Sequence, residues 1–227
     1  MIIVALLGLV AFLALIYGPQ FWVNWTMRKY ADERNGMPGT GGELARHLLD
    51  DAGLPNVKVE VVTAGDHYSP NDKAVRLTEA NFKGKSITAI AVAAHEVAHA
   101  IQDRDGYLPL QLRQRLVAKT IIVERIGSMV LMATPLVFAL VRSPVVLALE
   151  LAAALGILAS TTVIHLVTLP TEFDASFKKA LPVLESYVPA DEMPGARSVL
   201  RAAAFTYVAG ALVSVLNVAR WLRILRF

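Results

Sequence analysis

Apolar positions in this chain form long unbroken runs towards both ends, with a mixed region between them. The first run, MIIVALLGLVAFLALIYGPQFWVNW, carries no charge and closes on Phe21, Trp22 and Trp25, side chains suited to a headgroup interface. It lacks a basic leader and a small-residue cleavage site, which predicts a retained anchor and not a cleaved signal peptide. Two further runs, Ile126 to Val141 and Val145 to Leu169, are separated only by Arg142, Ser143 and Pro144. That spacing predicts a tight transmembrane hairpin. A fourth, AAAFTYVAGALVSVLNVA from Ala202 to Ala219, is short and rich in small residues that allow close helix packing, and is expected to span or to lie partly embedded.

The mixed region runs from about Thr26 to Lys119. Thr40 can cap a helix with Leu44, Leu48 and Leu49 on one side, ended by Gly53 and Pro55. VKVEVVT and KAVRLT then alternate as strands do, with the turn-rich AGDHYSPND between them. KSITAIAVAAHEVAHAIQDRDG follows, a helix apolar enough to be buried and expected to stop at Gly106. The chain has no internal repeat or low-complexity tract.

Composition sharpens this picture. A 55% hydrophobic content in 227 residues is too high for an ordinary soluble domain and points to an integral membrane protein. Without cysteine, histidine and carboxylate are the only strong metal ligands on offer. The net charge of +3 is small and dispersed, so no nucleic-acid partner is expected; the bilayer is the partner the charge fits. Basic residues cluster near span ends, including Arg28, Lys29, Arg113, Arg115, Lys119, Arg125, Lys178 and Lys179, which places the polar region on the cytoplasmic side of a bacterial plasma membrane. Arg220, Arg223 and Arg226 run against that if the fourth segment crosses fully.

The chemistry sits in the helix. His95 and His99 are one turn apart on the same face and can present both imidazoles to one ion. Glu96, on the adjoining side, is placed to take a proton from a water on that ion. Zinc suits the pattern because it accepts nitrogen and oxygen ligands and lowers the pKa of its water. A chance HExxH is expected in roughly one chain in two hundred of this composition, so the motif needs support from elsewhere in the chain. The bland reading is a buried helix with two satisfied histidines. LPTEFDAS, just after the third apolar run, offers Glu172 and Asp174, and an out-and-back hairpin returns them to the membrane face that holds His95 and His99.

With these segments in order, the chain resembles the YugP-like membrane zinc metallopeptidases, also called neutral zinc metallopeptidases or zinc peptidase family 2. The likeness rests on GTGGELARHLLDDAGL, DHYSPNDKAVRLTEANF, VAAHEVAHAIQDRDGYLPLQLR, LVTLPTEFDAS and AAAFTYVAGAL. It implies His95, His99 and Glu172 as zinc ligands and Glu96 as catalytic base, since the distantly similar HtpX-type proteases place their ligand at the first glutamate of the corresponding segment. Ala98 stands where the family usually has glycine, and Ser176 where HtpX-type proteases have aspartate. In zincins a strand beside the HExxH helix holds the substrate as an added strand, and KAVRLT is the expected counterpart.

Weaker candidates surround this set. His67 and Tyr68, on the loop between the strands, are candidate substrate or transition-state contacts. Asp174 is a candidate partner for a ligand histidine. His165 reads as a buried histidine bonded to a neighbouring helix, Glu150 as a partner of Arg142, and His47 as part of a solvated helix face. The expected fold is a mainly α transmembrane bundle with a small zincin-like α+β portion. Its parts are an anchor over 1–25, the zincin-like portion over 26–125, the hairpin over 126–169, the third-ligand segment over 170–201 and a C-terminal membrane helix over 202–227. The expected function is hydrolysis of peptide bonds in membrane or membrane-proximal proteins; the alternative is a metal-binding membrane protein without catalysis, such as a pseudo-protease or assembly factor. A transporter would place polar residues across several spans, and they are scarce here.

Overall fold

This computed structural model describes residues 2–34, 36–63 and 65–224; some side chains in the long C-terminal helices, including His165 and the stretches 117–121, 157–163 and 213–224, lie outside the described set. The described chain is mainly helical with one small sheet. In order come α1 (Ile2–Lys29), α2 (Gly41–Asp51), β1 (Lys58–Val62), β2 (His67–Ser69), β3 (Ala74–Thr78), α3 (Glu79–Lys83) and α4 (Ile87–Arg104). After these come α5 (Leu108–Val141), α6 (Pro144–Phe173), a π-helical segment (Asp174–Ala180), α7 (Leu181–Leu184) and α8 (Met193–Ile224).

The helix with HExxH is the centre of packing. Ser86 caps α4 by accepting from Ala89 N at 3.0 Å, and Gly106, at φ +62°, ends it where an L side chain would be strained. Ile87 to Ala100 are buried on every face, as expected of a helix that is apolar all round. Alanines at 89, 91, 93, 94, 98 and 100 let neighbours approach closely: α2 on one side, α8 and the π-helical segment on another. Thr88 ties the start of α4 to the end of α1, donating from N to Tyr30 O (3.0 Å) and from Oγ1 to Met27 O (2.8 Å). Thr40 and Glu43 form a capping box on α2.

The sheet differs from the expected arrangement. AGDHYSPND is not wholly a loop, because His67–Ser69 forms β2 within it. The strand order is β1-β3-β2, with β1 parallel to β3 and β2 antiparallel to it. KAVRLT is therefore the central strand, hydrogen-bonded on both sides, and cannot take a substrate as an added strand; the outer strands are β1 and β2. Val75 and Leu77, fully buried, hold β3 against the core. Asp66 fixes the entry to β2, accepting from Thr78 N (2.6 Å), Thr78 Oγ1 and Asn81 Nδ2.

The two long C-terminal apolar runs form α5 and α6, packed on each other across Arg142 and Ser143. Helix α5 begins at Leu108, well before the apolar run, since the polar segment ahead of Ile126 continues the same helix. Of the four segments expected to enter a bilayer, one contains, among the described residues, a stretch long and apolar enough to cross it: Leu6–Lys29 in α1. Large apolar side chains nevertheless stand exposed along α5 and α6, among them Ile122, Met132, Leu136, Leu140, Val145 and Leu166. Glu150 does not pair with Arg142; its Oε2 is buried without a hydrogen-bond partner among the described residues. His47, over half exposed, pairs with Asp51.

Candidate metal centre

His95 and His99 project from one face of α4 towards the end of α6, where Glu172 enters from below them. All three are buried, at 5%, 5% and 1% exposure. His95 Nε2 lies 3.2 Å from His99 Nε2 and 3.2 Å from Glu172 Oε2, and His99 Nε2 lies 3.5 Å from the same oxygen. A tetrahedral zinc ion bonded to nitrogen and oxygen at roughly 2.0–2.1 Å holds its ligand atoms about 3.3 Å apart. The three atoms thus already make one face of such a tetrahedron. Among the described residues no fourth histidine or carboxylate joins this group.

Local sequence explains how the glutamate arrives there. Pro170 sits inside α6 and has no N–H to continue the helical ladder. Two residues after Glu172 the backbone widens into the π-helical segment, a rare geometry that redirects side chains over a single turn. That turn sends Ser176 Oγ to within 3.0 Å of His95 Nδ1 and leaves Asp174 facing Gln102.

Gln102 sets the orientation of His99. Its Nε2 donates to Thr171 O at 2.9 Å and to Asp174 Oδ2 at 2.8 Å, so Oε1 is the atom left for His99 Nδ1, 2.9 Å away. An amide oxygen only accepts, which makes Nδ1 the donor there and Nε2 the nitrogen that faces His95 and Glu172. Asp174, expected to hold a histidine itself, does so one hydrogen bond removed, with Lys179 Nζ 3.8 Å from it.

Charge in the centre follows from this crowding. Burial acts to raise the Glu172 carboxyl, but the charge of His99 and hydrogen bonds from His95 and His99 outweigh it and hold the group well below the usual carboxylate range. Burial acts to lower the His99 imidazole, and the Glu172 carboxylate, with Glu96 behind it, lifts it above its ordinary value instead.

Glu96 is 7% exposed on the adjoining side of α4, and its carboxylate has no hydrogen bond to other described residues. His67 and Tyr68 part company, as neighbours on a strand must. His67 is exposed on β2 with Nδ1 donating to Gly65 O at 2.9 Å. Tyr68 is buried and its hydroxyl donates to Asp103 Oδ2 at 2.7 Å, where Lys73 also binds; burial and Asp103 push its phenol upwards. Its single proton is committed to fastening the sheet to the end of α4.

Residues 4–226 match the profile of a family described as "Putative neutral zinc metallopeptidase". The chain belongs to this family. It is similar to "Putative membrane protease YugP" of Bacillus subtilis (strain 168), with 36% identity over 220 residues that cover 95% of this chain and 93% of that one. No solved structure matches it. The buried His-His-Glu triad gives this zinc metallopeptidase family member a donor set that suits zinc: two borderline imidazoles and one hard oxygen.

Three residues around the triad, Gln102, Arg113 and Tyr207, escape a reading of the sequence, and Ser176 stands out there only as a departure from the HtpX-type pattern. Gln102 and Ser176 orient the histidines, Arg113 reaches Glu172 from α5, and Tyr207 on α8 meets Arg113. Gln102 had a signal of its own, a polar residue three positions after His99 in a helix otherwise apolar up to that point. Arg113 reads in sequence as one more positive charge beside a span, and Tyr207 as one ring in an apolar run. Only helix packing brings them to the triad.

Proposed function

We propose that this protein is a membrane-integrated zinc endopeptidase of the gluzincin kind, acting on membrane or membrane-proximal proteins. The observation that carries the proposal is the triangle of His95 Nε2, His99 Nε2 and Glu172 Oε2, with sides of 3.2, 3.2 and 3.5 Å, beside a carboxylate with no hydrogen bond to other described residues. His95, His99 and Glu172 would hold a zinc ion there, which would supply a Lewis acid for the scissile carbonyl and lower the pKa of a bound water towards about 7. Ser176, Gln102 and Asp174 keep the two imidazoles turned. Glu96 takes the proton of the attacking water and then delivers it to the leaving amine nitrogen. On this reading a substrate strand meets the outer edge of β2, which packs against α4 and carries His67 towards solvent.

A bilayer site is supported by the apolar, mostly uncovered α1, by the exposed side chains of α5 and α6, and by the name of the Bacillus relative. The catalytic face is assigned to the cytoplasmic side on the positions of the lysines and arginines. The absence of a fourth ligand among the described residues favours an open catalytic site over a closed structural one. The membrane proteome of cells carrying the native protein, compared with that of cells carrying Glu96→Gln, tests the reading. Fragments of membrane proteins are expected only in the first, and identical fragment sets would contradict it.

A further inference from the structure

Glu172 has two oxygens, and the fold gives them separate partners. Oε2 faces the histidines, while Oε1 accepts from Arg113 Nη1 at 2.9 Å. The same guanidinium donates through Nη2 to the Tyr207 hydroxyl and lies 4.8 Å from the centroid of that ring. Arg113 comes from α5, Tyr207 from α8 and Glu172 from the end of α6, so one side chain joins three helices at the carboxylate. A guanidinium is suited to this because its N–H groups are fixed in a planar fork, so one contact orients the next.

We propose that Arg113 is a positioning residue that keeps Glu172 a one-oxygen metal ligand. The inference rests on the zinc-site reading above and goes beyond it. An unrestrained carboxylate can offer both oxygens to an ion, and doing so here would occupy the position a hydrolytic site leaves for water. With Oε1 held by the guanidinium, only Oε2 is turned to the histidines. Tyr207 steadies the arrangement from the far side of the fork, which sets Arg113 apart from a surface ion pair: the Glu172 side chain is 2% exposed and that of the arginine 22%.

The test uses the full-length protein in detergent, loaded with cobalt(II) as a spectroscopic stand-in and, separately, with zinc. Native protein should give the intense visible bands of four-coordinate cobalt. Arg113→Gln should weaken those bands several-fold as the second oxygen joins the ion, and should loosen zinc by roughly 10–100-fold in chelator competition. Arg113→Lys should recover part of the zinc affinity by restoring the charge without the fork. Bands of unchanged intensity in Arg113→Gln overturn the proposal whatever happens to affinity, since a purely structural arginine leaves coordination alone. Should Arg113→Gln fail to fold, the same change made together with Glu172→Gln decides: a recovered fold supports action through Glu172, and continued failure overturns it. Native protein that binds neither metal would sink the zinc site itself, whereas native binding with an indifferent Arg113→Gln sinks only this inference.

Discussion

Gln102 shows how much of the centre depends on single atoms. Its amide commits both hydrogens to the π-helical segment and thereby dictates which nitrogen of His99 is left for a metal. Gln102→Met keeps the volume but removes that dictation, so zinc affinity should fall about 10–100-fold; competition with a chelator measures it, and an unchanged affinity would contradict the role. Titration gives a second prediction at this scale. His99, lifted above 6.5, contributes stability to the metal-free protein that is complete below that value and lost as pH rises through its folded pKa. Glu172, lowered from 4.5, contributes stability that is present above that value and lost as pH falls through its folded pKa. Unfolding temperatures of the metal-free protein should therefore peak between about 4.5 and 6.5, and zinc should shift the optimum upwards, because the ion needs unprotonated imidazoles. A metal-free optimum above pH 8 would contradict the coupling. His95 and His99 are legible in the sequence because i to i+4 spacing is a local rule of helices, whereas the hairpin offers Glu172 and Asp174 alike and only the family resemblance singles out Glu172. Arg113 and Tyr207 obey no local rule.

At the scale of elements, α4 works because its neighbours come unusually close. A Cβ on Gly41 would stand 2.2 Å from Asn81 O and 2.7 Å from Ala89 O, both backbone atoms that cannot rotate away. Gly41→Ala should push α2 off α3 and α4 and cost about 1–3 kcal/mol or more; a fall in unfolding temperature checks it, and an unchanged value would show that the approach is not as tight as described. The helices were readable from apolar periodicity and from caps such as Thr40. The sheet was readable only in part. β1 and β3 have the length and alternation of strands, but β2 is three residues long inside a tract of turn formers, and nothing in local pattern says that β1 and β3 run parallel with β2 beside them. The π-helical segment is also silent in sequence beyond Pro170, since a widened turn depends on what the freed carbonyls can bond; here Gln102 takes Thr171 O.

For the whole molecule, α4 lies among α2, α8 and the π-helical segment, and Glu172 is delivered by the long apolar pair α5 and α6. The hairpin was visible from two apolar runs flanking three residues. Which helix faces cover one another was not, because every face of these runs is apolar and periodicity carries no signal. Orientation is testable: cysteines engineered at Ser69 and Ser186 should resist a membrane-impermeant reagent in intact cells and react after lysis, and ready labelling of both in intact cells would place the centre outside. The central claim is that His95, His99 and Glu172 hold the ion while Glu96 does the proton transfer. Zinc content and peptide hydrolysis measured together on purified Glu96→Gln separate the two most directly. The account predicts close to the native zinc content, with hydrolysis of an unfolded membrane-protein substrate reduced by about a hundredfold or more; native zinc with undiminished hydrolysis would contradict it.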